Sequence, residues 1–419
     1  MATVDWSKLP TELLNLISQR IYEEVDLIHF RSVCSTWRSS SVPKHHHKFR
    51  FQFPLLKFPF NADFINKNRS FCYITKQNIF LIKPPQQEQT LTLRPLLIRI
   101  CQNARGKSKL YHPLLQNGYK FPHTFMLDFN KLSILHLGSN FFMIDFDFTF
   151  NDKLYNPDDY MYPKKVVVVT CHGKKPLIVG TLTSPPQPLL MKCGDEKWNV
   201  IPDMSTKFGD ICLFKGQSYA VDKIGKTVVV GPDSSVQLVA EPLIGGGDMK
   251  FLVESEGDLL LADVYNCLFT DLCNPDHNDC VRIDLFKLNE KEKKWVKLTS
   301  LGDRVLFLGL GLVCSFSACA SDLCVAKGNS VIFNNYIFES HRPLESECKE
   351  YVLDLDLGRH SLLSDYPEYS NLFWPPPEWI RPRYDGLNWV GADGFFTCEY
   401  NVITPECSRL KKIRGFFNH

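Results

Sequence analysis

A chain of 419 residues with 44% hydrophobic and 22% charged residues can bury a sizeable core, which excludes global disorder. Its net charge of +2 argues against a protein whose main work is gripping nucleic acid, and no apolar run approaches the ~20 residues that span a bilayer. The opening residues lack the basic flank and apolar stretch of a secretory signal, so the expected setting is cytosolic or nuclear, with the 15 cysteines as reduced thiols.

Residues 1–42 carry a helical pattern. Leu9, Leu13, Ile17 and Ile21 recur every four residues with Leu14 alongside. Pro10 suits the first helical position, where its missing N–H costs nothing, and Glu12 meets the positive end of the helix dipole. After a break near residues 23–26, "VDLIHFRSVCSTWRSS" reads as a second, single helix. Asp26 can cap it, and Phe30, Val33, Cys34 and Trp37 share one face.

After Pro43 the texture changes. "KFRFQFPLLKFPF" is aromatic and proline-punctuated, an extended connector or lead-in strand over residues 43–69. From residue 70 to 382, short alternating strands and polar turns dominate. "KVVVVTCHGKKPLIVG", "QSYAVDKIGKTVVV" and "VRIDLFKLN…WVKLTSL" read as hairpins, the second turning at Lys223–Gly225. So does "YVLDLDLGRHSLL", with Leu353, Leu355 and Leu357 on one face and Asp354 and Asp356 on the solvent face. A tryptophan-led strand, an aspartate-bearing turn and an apolar strand recur around Trp198 and Trp295, 97 residues apart. That spacing is two units of the ~40–50 residues typical of propeller blades. Radial repetition of short sheets also solves the edge problem that so many hairpins create. The expected fold is therefore a small all-α N-terminal module followed by an all-β domain, a β-propeller of short antiparallel blades. Residues 383–419 form a tail with no clear period.

Motifs that carry chemistry are missing. Gly106-Lys107-Ser108 and Gly225-Lys226-Thr227 lack the earlier glycine of a phosphate loop, since Cys101 and Ala220 stand there. "GGGD" at 245–248 reads as a flexible turn. Cys267, Cys273, His277 and Cys280, like Cys314, Cys319 and Cys324, lack the tight C-x-x-C spacing of zinc knuckles. His45–His47 lie in a basic linker and read as solvated surface. No catalytic residue, cofactor or metal is expected. In "FWPPPEWIRP" three prolines impose an extended strap whose aromatics should pin it to the domain's own sheet.

The first 42 residues hold more apolar side chains than two short helices can bury against each other, so they need another surface. Here the residues carry a resemblance. "LPTELLNLISQRIYEEVDLIHFRSVCSTWRSS" resembles an F-box, through Leu9-Pro10, Glu12, Ile17, Val25-Asp26-Leu27, Phe30-Arg31, Val33-Cys34 and Trp37-Arg38. The remainder resembles the plant F-box-associated β-propeller domain, through "GDICLFKGQSYAVD", "KWVKLTSLGDRVLFLG" and "FWPPPEWI". The resemblance implies docking onto the Skp-type adaptor of an SCF ubiquitin ligase, and through it contact with cullin and RING subunits. Leu9, Pro10, Ile17, Val33, Cys34 and Trp37 would belong to the adaptor interface or the small core behind it. The β domain would hold an unknown target protein, with neither nucleic acid nor membrane as partner. Two other readings stay open. One is a propeller enzyme or small-molecule sensor capped by its N-terminal helices; the other is an F-box scaffold outside a ligase.

Overall fold

The computed structural model describes residues 9–21, 30–31, 33–41, 50–51, 72–84, 94–102, 108–114, 132–145, 165–169, 177–181, 188–192, 199–204, 209–243, 246–266, 281–309, 315–334, 349–373, 377 and 379. Among the described residues, helix comes first at α1 (Thr11–Arg20), at residues 30–31 and at α2 (Ser35–Ser40). Strands follow: β1 (Arg50–Phe51), β2 (Cys72–Lys83), β3 (Leu96–Gln102), β4 (Ser108–Tyr111) and β5 (Ser133–Asp145) form one arm of a nine-stranded sheet. Its other arm is β6 (Lys165–Val169), β7 (Leu177–Thr181), β8 (Pro188–Lys192) and β9 (Asn199–Val200). A single bridge, Phe141 opposite Val166, joins the arms. β1 pairs with β2, so the lead-in strand is part of the sheet.

Three further sheets complete an all-β, propeller-like ring. β10 (Asp210–Phe214), β11 (Gln217–Val221), β12 (Thr227–Val230) and β13 (Val236–Ala240) form an antiparallel meander. So do β14 (Met249–Ser255), β15 (Asp258–Asn266), β16 (Val281–Asn289) and β17 (Lys294–Leu298). The last sheet holds β18 (Arg304–Leu308), β19 (Phe316–Cys319), β20 (Ser330–Asn334), β21 (Glu350–Asp354) and β22 (Arg359–Leu362). One pairing departs from the antiparallel expectation: β18 runs parallel to β20, because β19 and the short helix α3 (Ala320–Leu323) intervene.

The central strands of the sheets are buried on both faces by their neighbours, with the period of two that a pleated strand imposes. In β18, Val305 and Phe307 face the β2–β3 arm, while Leu306 and Leu308 face β14–β16. In β15, Leu260, Ala262 and Val264 face that last sheet, and Leu259 and Leu261 face the β10–β13 meander. Ala220, Val228 and Val230 then meet Val167 and Val179 of the β6–β9 arm, which closes the circuit. Polar ties reinforce the packing. Trp295 donates its indole N–H to Gly225 O and Thr227 Oγ1, both at 3.1 Å, pinning β17 to the preceding hairpin. Asp210 accepts from Lys165 Nζ at 2.6 Å and from Leu252 N–H at 2.9 Å, so one carboxylate stitches β6, β10 and β14.

Several local expectations change. Pro10 is extended (ψ 140°) and stands before the helix as its cap residue, its carbonyl accepting from Leu14 N–H at 3.1 Å. The helix expected to run unbroken through Val33 and Cys34 is interrupted there: Cys34 is fully extended and α2 starts at Ser35. Phe30 and Trp37 explain the break. Their rings lie 4.6 Å apart, whereas residues seven apart on a straight helix are separated by about 10 Å along its axis. Asp354 is buried rather than solvated; β21 ends at it, and its Oδ1 accepts from Asp356 and Leu357 N–H to form the turn. Alternation therefore stops there, and Leu357 is exposed. In "GGGD", Gly247 is held rigidly. Its N–H donates to both oxygens of Asp263, and a Cβ there would sit 2.5 Å from Val264 O.

The seam between first and last sheets is sealed by the chain's late segment. Phe373 is buried, stacks on His112 at 4.8 Å and meets Phe307 edge-on. Leu97 N–H donates to Leu372 O at 2.8 Å, and Trp379 Nε1 to Arg94 O at 3.1 Å. His112 Nδ1 accepts from Leu114 N–H, so the neutral ring carries its proton on Nε2, 3.2 Å from Glu350 Oε1. An imidazolium would set two donors face to face at Nδ1. Burial, with Arg99 nearby, lowers His112 to about 3, and burial raises Glu350 to about 7.

The two shifts act in opposite directions. The unfolded chain protonates His112 below pH 6.5 and the folded one does not, so this stability is lost on acidification. The folded chain keeps a proton on Glu350 up to pH about 7 that the unfolded chain loses near 4.5, so stability falls as pH rises through that window. Glu350→Gln should remove only the second effect. Its stability relative to wild type should improve by about 3 kcal/mol between pH 4.5 and 7 and stay level above. Denaturant melts across that range check it.

Candidate functional site

The central strands of the ring bury one another; α1 leaves an apolar face outside. α1 turns Leu14 and Ser18 inward, and both are buried. Its opposite face presents Leu13, Leu16 and Ile17, which are 47%, 53% and 41% exposed. Their i, i+3, i+4 spacing makes one contiguous apolar strip. Val33 adds a fourth apolar side chain, 56% exposed, at the break before α2. A strip of this kind on a helical segment marks a surface that meets something else.

Behind the strip sits a small fixed core. Phe30 is buried under the half-buried Trp37. Arg31 closes the far end of α2: its Nη1 donates to Ser41 O, to Ser41 Oγ at 3.0 Å and to Arg38 O at 3.2 Å. Those are the carbonyls a short helix leaves unpaired at its C-terminus, where a cation is also favoured by the dipole. Arg38 Nε returns a bond to Arg31 O at 3.2 Å. The two arginines thus lock the entry to α2 against its exit.

The residues named from sequence fall into two groups. Pro10, Ile17 and Val33 are exposed, while Leu9, Cys34 and Trp37 are half-buried. Val33 therefore parts from Cys34 and Trp37, because the break at Cys34 turns it outward. Leu16, the most exposed residue of the α1 strip, was missed. It lies outside the four-residue repeat, although its place three after Leu13 was a usable signal. Val25–Leu27, His45–His47, Cys267, Cys273, His277, Cys280, Cys314, Trp198, Trp374 and the tail 383–419 lie outside the described residues. Cys319 sits beside Arg304, whose Nη1 donates to its Sγ at 3.0 Å, and Cys324 is exposed across α3.

The fold is an all-β, propeller-like ring preceded by helices with an outward apolar strip. Comparison with known proteins makes the class specific. Residues 43–357 match the family model described as KIB1-4 beta-propeller. The chain is 33% identical over 418 residues to "F-box protein At2g17036" of Arabidopsis thaliana, covering 93% of this chain and 98% of that one. It is 34% identical over 415 residues to "F-box protein SKIP23" of the same plant, with the same two coverages. A likeness to the solved structure of TolB from Acinetobacter baumannii has a TM-score of 0.24 at 10% identity, spans 68% of this chain and 62% of that one, and bears no argument. The chain belongs to the plant F-box proteins that carry a KIB1-4 beta-propeller. The pairing seen here runs past the matched region, through β22 to the strap that ends on Trp379.

The helix core yields a test of its own. Phe30→Ala leaves Trp37 without its ring partner and should loosen the α1–α2 segment by about 3 kcal/mol, while the β ring keeps its melt. Hydrogen exchange, read separately over residues 11–40 and over β14–β22, checks both halves.

Proposed function

We propose that this protein is the substrate-recognition subunit of an SCF-type ubiquitin ligase. The N-terminal helices form the F-box module and dock a Skp-type adaptor, which brings cullin and RING subunits. The β domain holds the target protein. Catalysis is then positional: target lysines are kept at high effective concentration near the charged ubiquitin-conjugating enzyme, and no residue of this chain does chemistry. The observation that carries this reading is the exposed strip of Leu13, Leu16 and Ile17 on α1, whose Leu14 and Ser18 are buried, with Val33 exposed at the break before α2. Relatives named F-box proteins over almost their whole length support it.

On this reading Leu9, Pro10, Ile17 and Val33 touch the adaptor, joined by Leu13 and Leu16. Cys34 and Trp37 shape the surface from behind. Adaptor co-purification tests it. Leu16→Asp with Ile17→Asp should abolish capture of a Skp-type adaptor while the melt of the β ring is unchanged, since both side chains are already exposed in the free protein. Leu9→Ala with Pro10→Ala should weaken capture in the same way. Trp37→Ala should cost ~3 kcal/mol, about a hundredfold in affinity, whereas Arg38→Ala should lose under ~1 kcal/mol through its exposed bond to Arg31 O. Undiminished capture by the Leu16/Ile17 variant would overturn the assignment of this face.

A further inference from the structure

α2 is too short to hold itself. Its 6 residues make less than two turns, and helices shorter than about 12 residues are marginal in water. Two residues ahead of the break grip it. Phe30 stacks on Trp37, and Arg31 reaches past the helix to its exit. The exit is tied from a single atom of Arg31: Nη1 donates to Ser41 O, to Ser41 Oγ at 3.0 Å and to Arg38 O at 3.2 Å. Ser41 Oγ donates in turn to Arg38 O at 3.2 Å, so the acceptors are fixed against one another.

The chain between Arg31 and α2 has to arch over this tie. Val33 N–H donates to Phe30 O at 3.3 Å, and Cys34 is extended, with φ −160° and ψ 175°. Val33 stands on the arch and is 56% exposed. The two ends of the arch set its direction. The Phe30–Trp37 contact fixes how far apart those ends lie but tolerates sliding of the rings; hydrogen bonds fix direction as well. Arg38 adds one exposed bond, to Arg31 O, and so carries a smaller share than the half-buried Arg31.

We infer that Arg31 is a positioning residue for adaptor docking: by tying the exit of α2 to its entry, it fixes the direction in which Val33 is offered to the partner. The inference rests on the adaptor reading above, which makes Val33 part of the contact. Two consequences separate it from general support of the fold. All three bonds leave one nitrogen, so the forked geometry peculiar to arginine is unused, and a lysine ammonium, with three donors on one atom, can replace it. The effect of Arg31 also passes through Val33, and does not involve Leu16 on α1.

Titration of the full chain with a Skp-type adaptor tests the inference. Arg31→Met, similar in length but without donors, should weaken binding about tenfold, and Arg31→Lys should bind within about threefold of wild type. In a Val33→Ala background the Arg31→Met loss should shrink below about twofold, whereas in a Leu16→Ala background it should persist in full. Hydrogen exchange over α1 and the emission of Trp37 should match wild type; if Arg31→Met disturbs either, Arg31→Gln, which keeps an amide donor, takes its place in the same cycle. Undiminished binding by Arg31→Met, an equal loss with and without Val33→Ala, or a lysine variant as weak as the methionine one would overturn this inference. Loss of capture by Leu16→Asp with Ile17→Asp would then leave the adaptor reading standing. Failure of the wild-type chain to bind the adaptor would overturn both.

Discussion

Burial of the central strands on both faces is the constraint from which the rest follows. β14 has no solvent face to spare over its middle: Phe251 and Val253 point to one neighbour and Leu252 to the other. A linear stack would leave two apolar faces in water, so the stack has to close. Closure falls on the join between the β2–β3 arm and the β18–β22 sheet, which are far apart in sequence. The chain assigns extra material to that join. Leu372, Phe373 and Trp379 bind back onto β3 and its approach, and Asn334 Nδ2 donates to Leu114 O across the seam at 3.0 Å.

Two-sided burial also decides where polar groups can go. Lys250 and Asp263 lie opposite each other on β14 and β15 and are wholly buried. They persist because Gly247 closes the set, its N–H donating to Asp263 and its carbonyl accepting from Lys250. Asp210 plays the same part around the axis. Such pairs add little net stability over apolar residues, but breaking one strands its partner without water. Their value here is register: each fixes one strand against a particular neighbour.

The helices obey the opposite economy. They are too short to bury both of their apolar faces against each other, so one is left outward. The central strands of the ring are satisfied by their neighbours, whereas α1 leaves Leu13, Leu16 and Ile17 outward. On the proposed reading, a receptor that holds two partners at once needs two independent surfaces, and the connection between them sets how a target is presented.

The sequence by itself determined the class of the elements. Period-four leucines announced α1, period-two strands announced hairpins whose register β6–β7, β11–β12 and β16–β17 share, and the Trp198/Trp295 unit announced repetition. Those signals are local, because helix and strand periods depend on the backbone alone. The tertiary structure decided which face of α1 is covered, that the chain breaks at Cys34 to stack Trp37 on Phe30, and that Asp354 is buried. It also decided that Glu254 lines a cavity with residues of β5, β6 and β10 and that Glu350 meets His112 across the seam. Each of these depends on residues tens or hundreds of positions apart, and an alternating pattern looks the same whether its second face meets water or another blade.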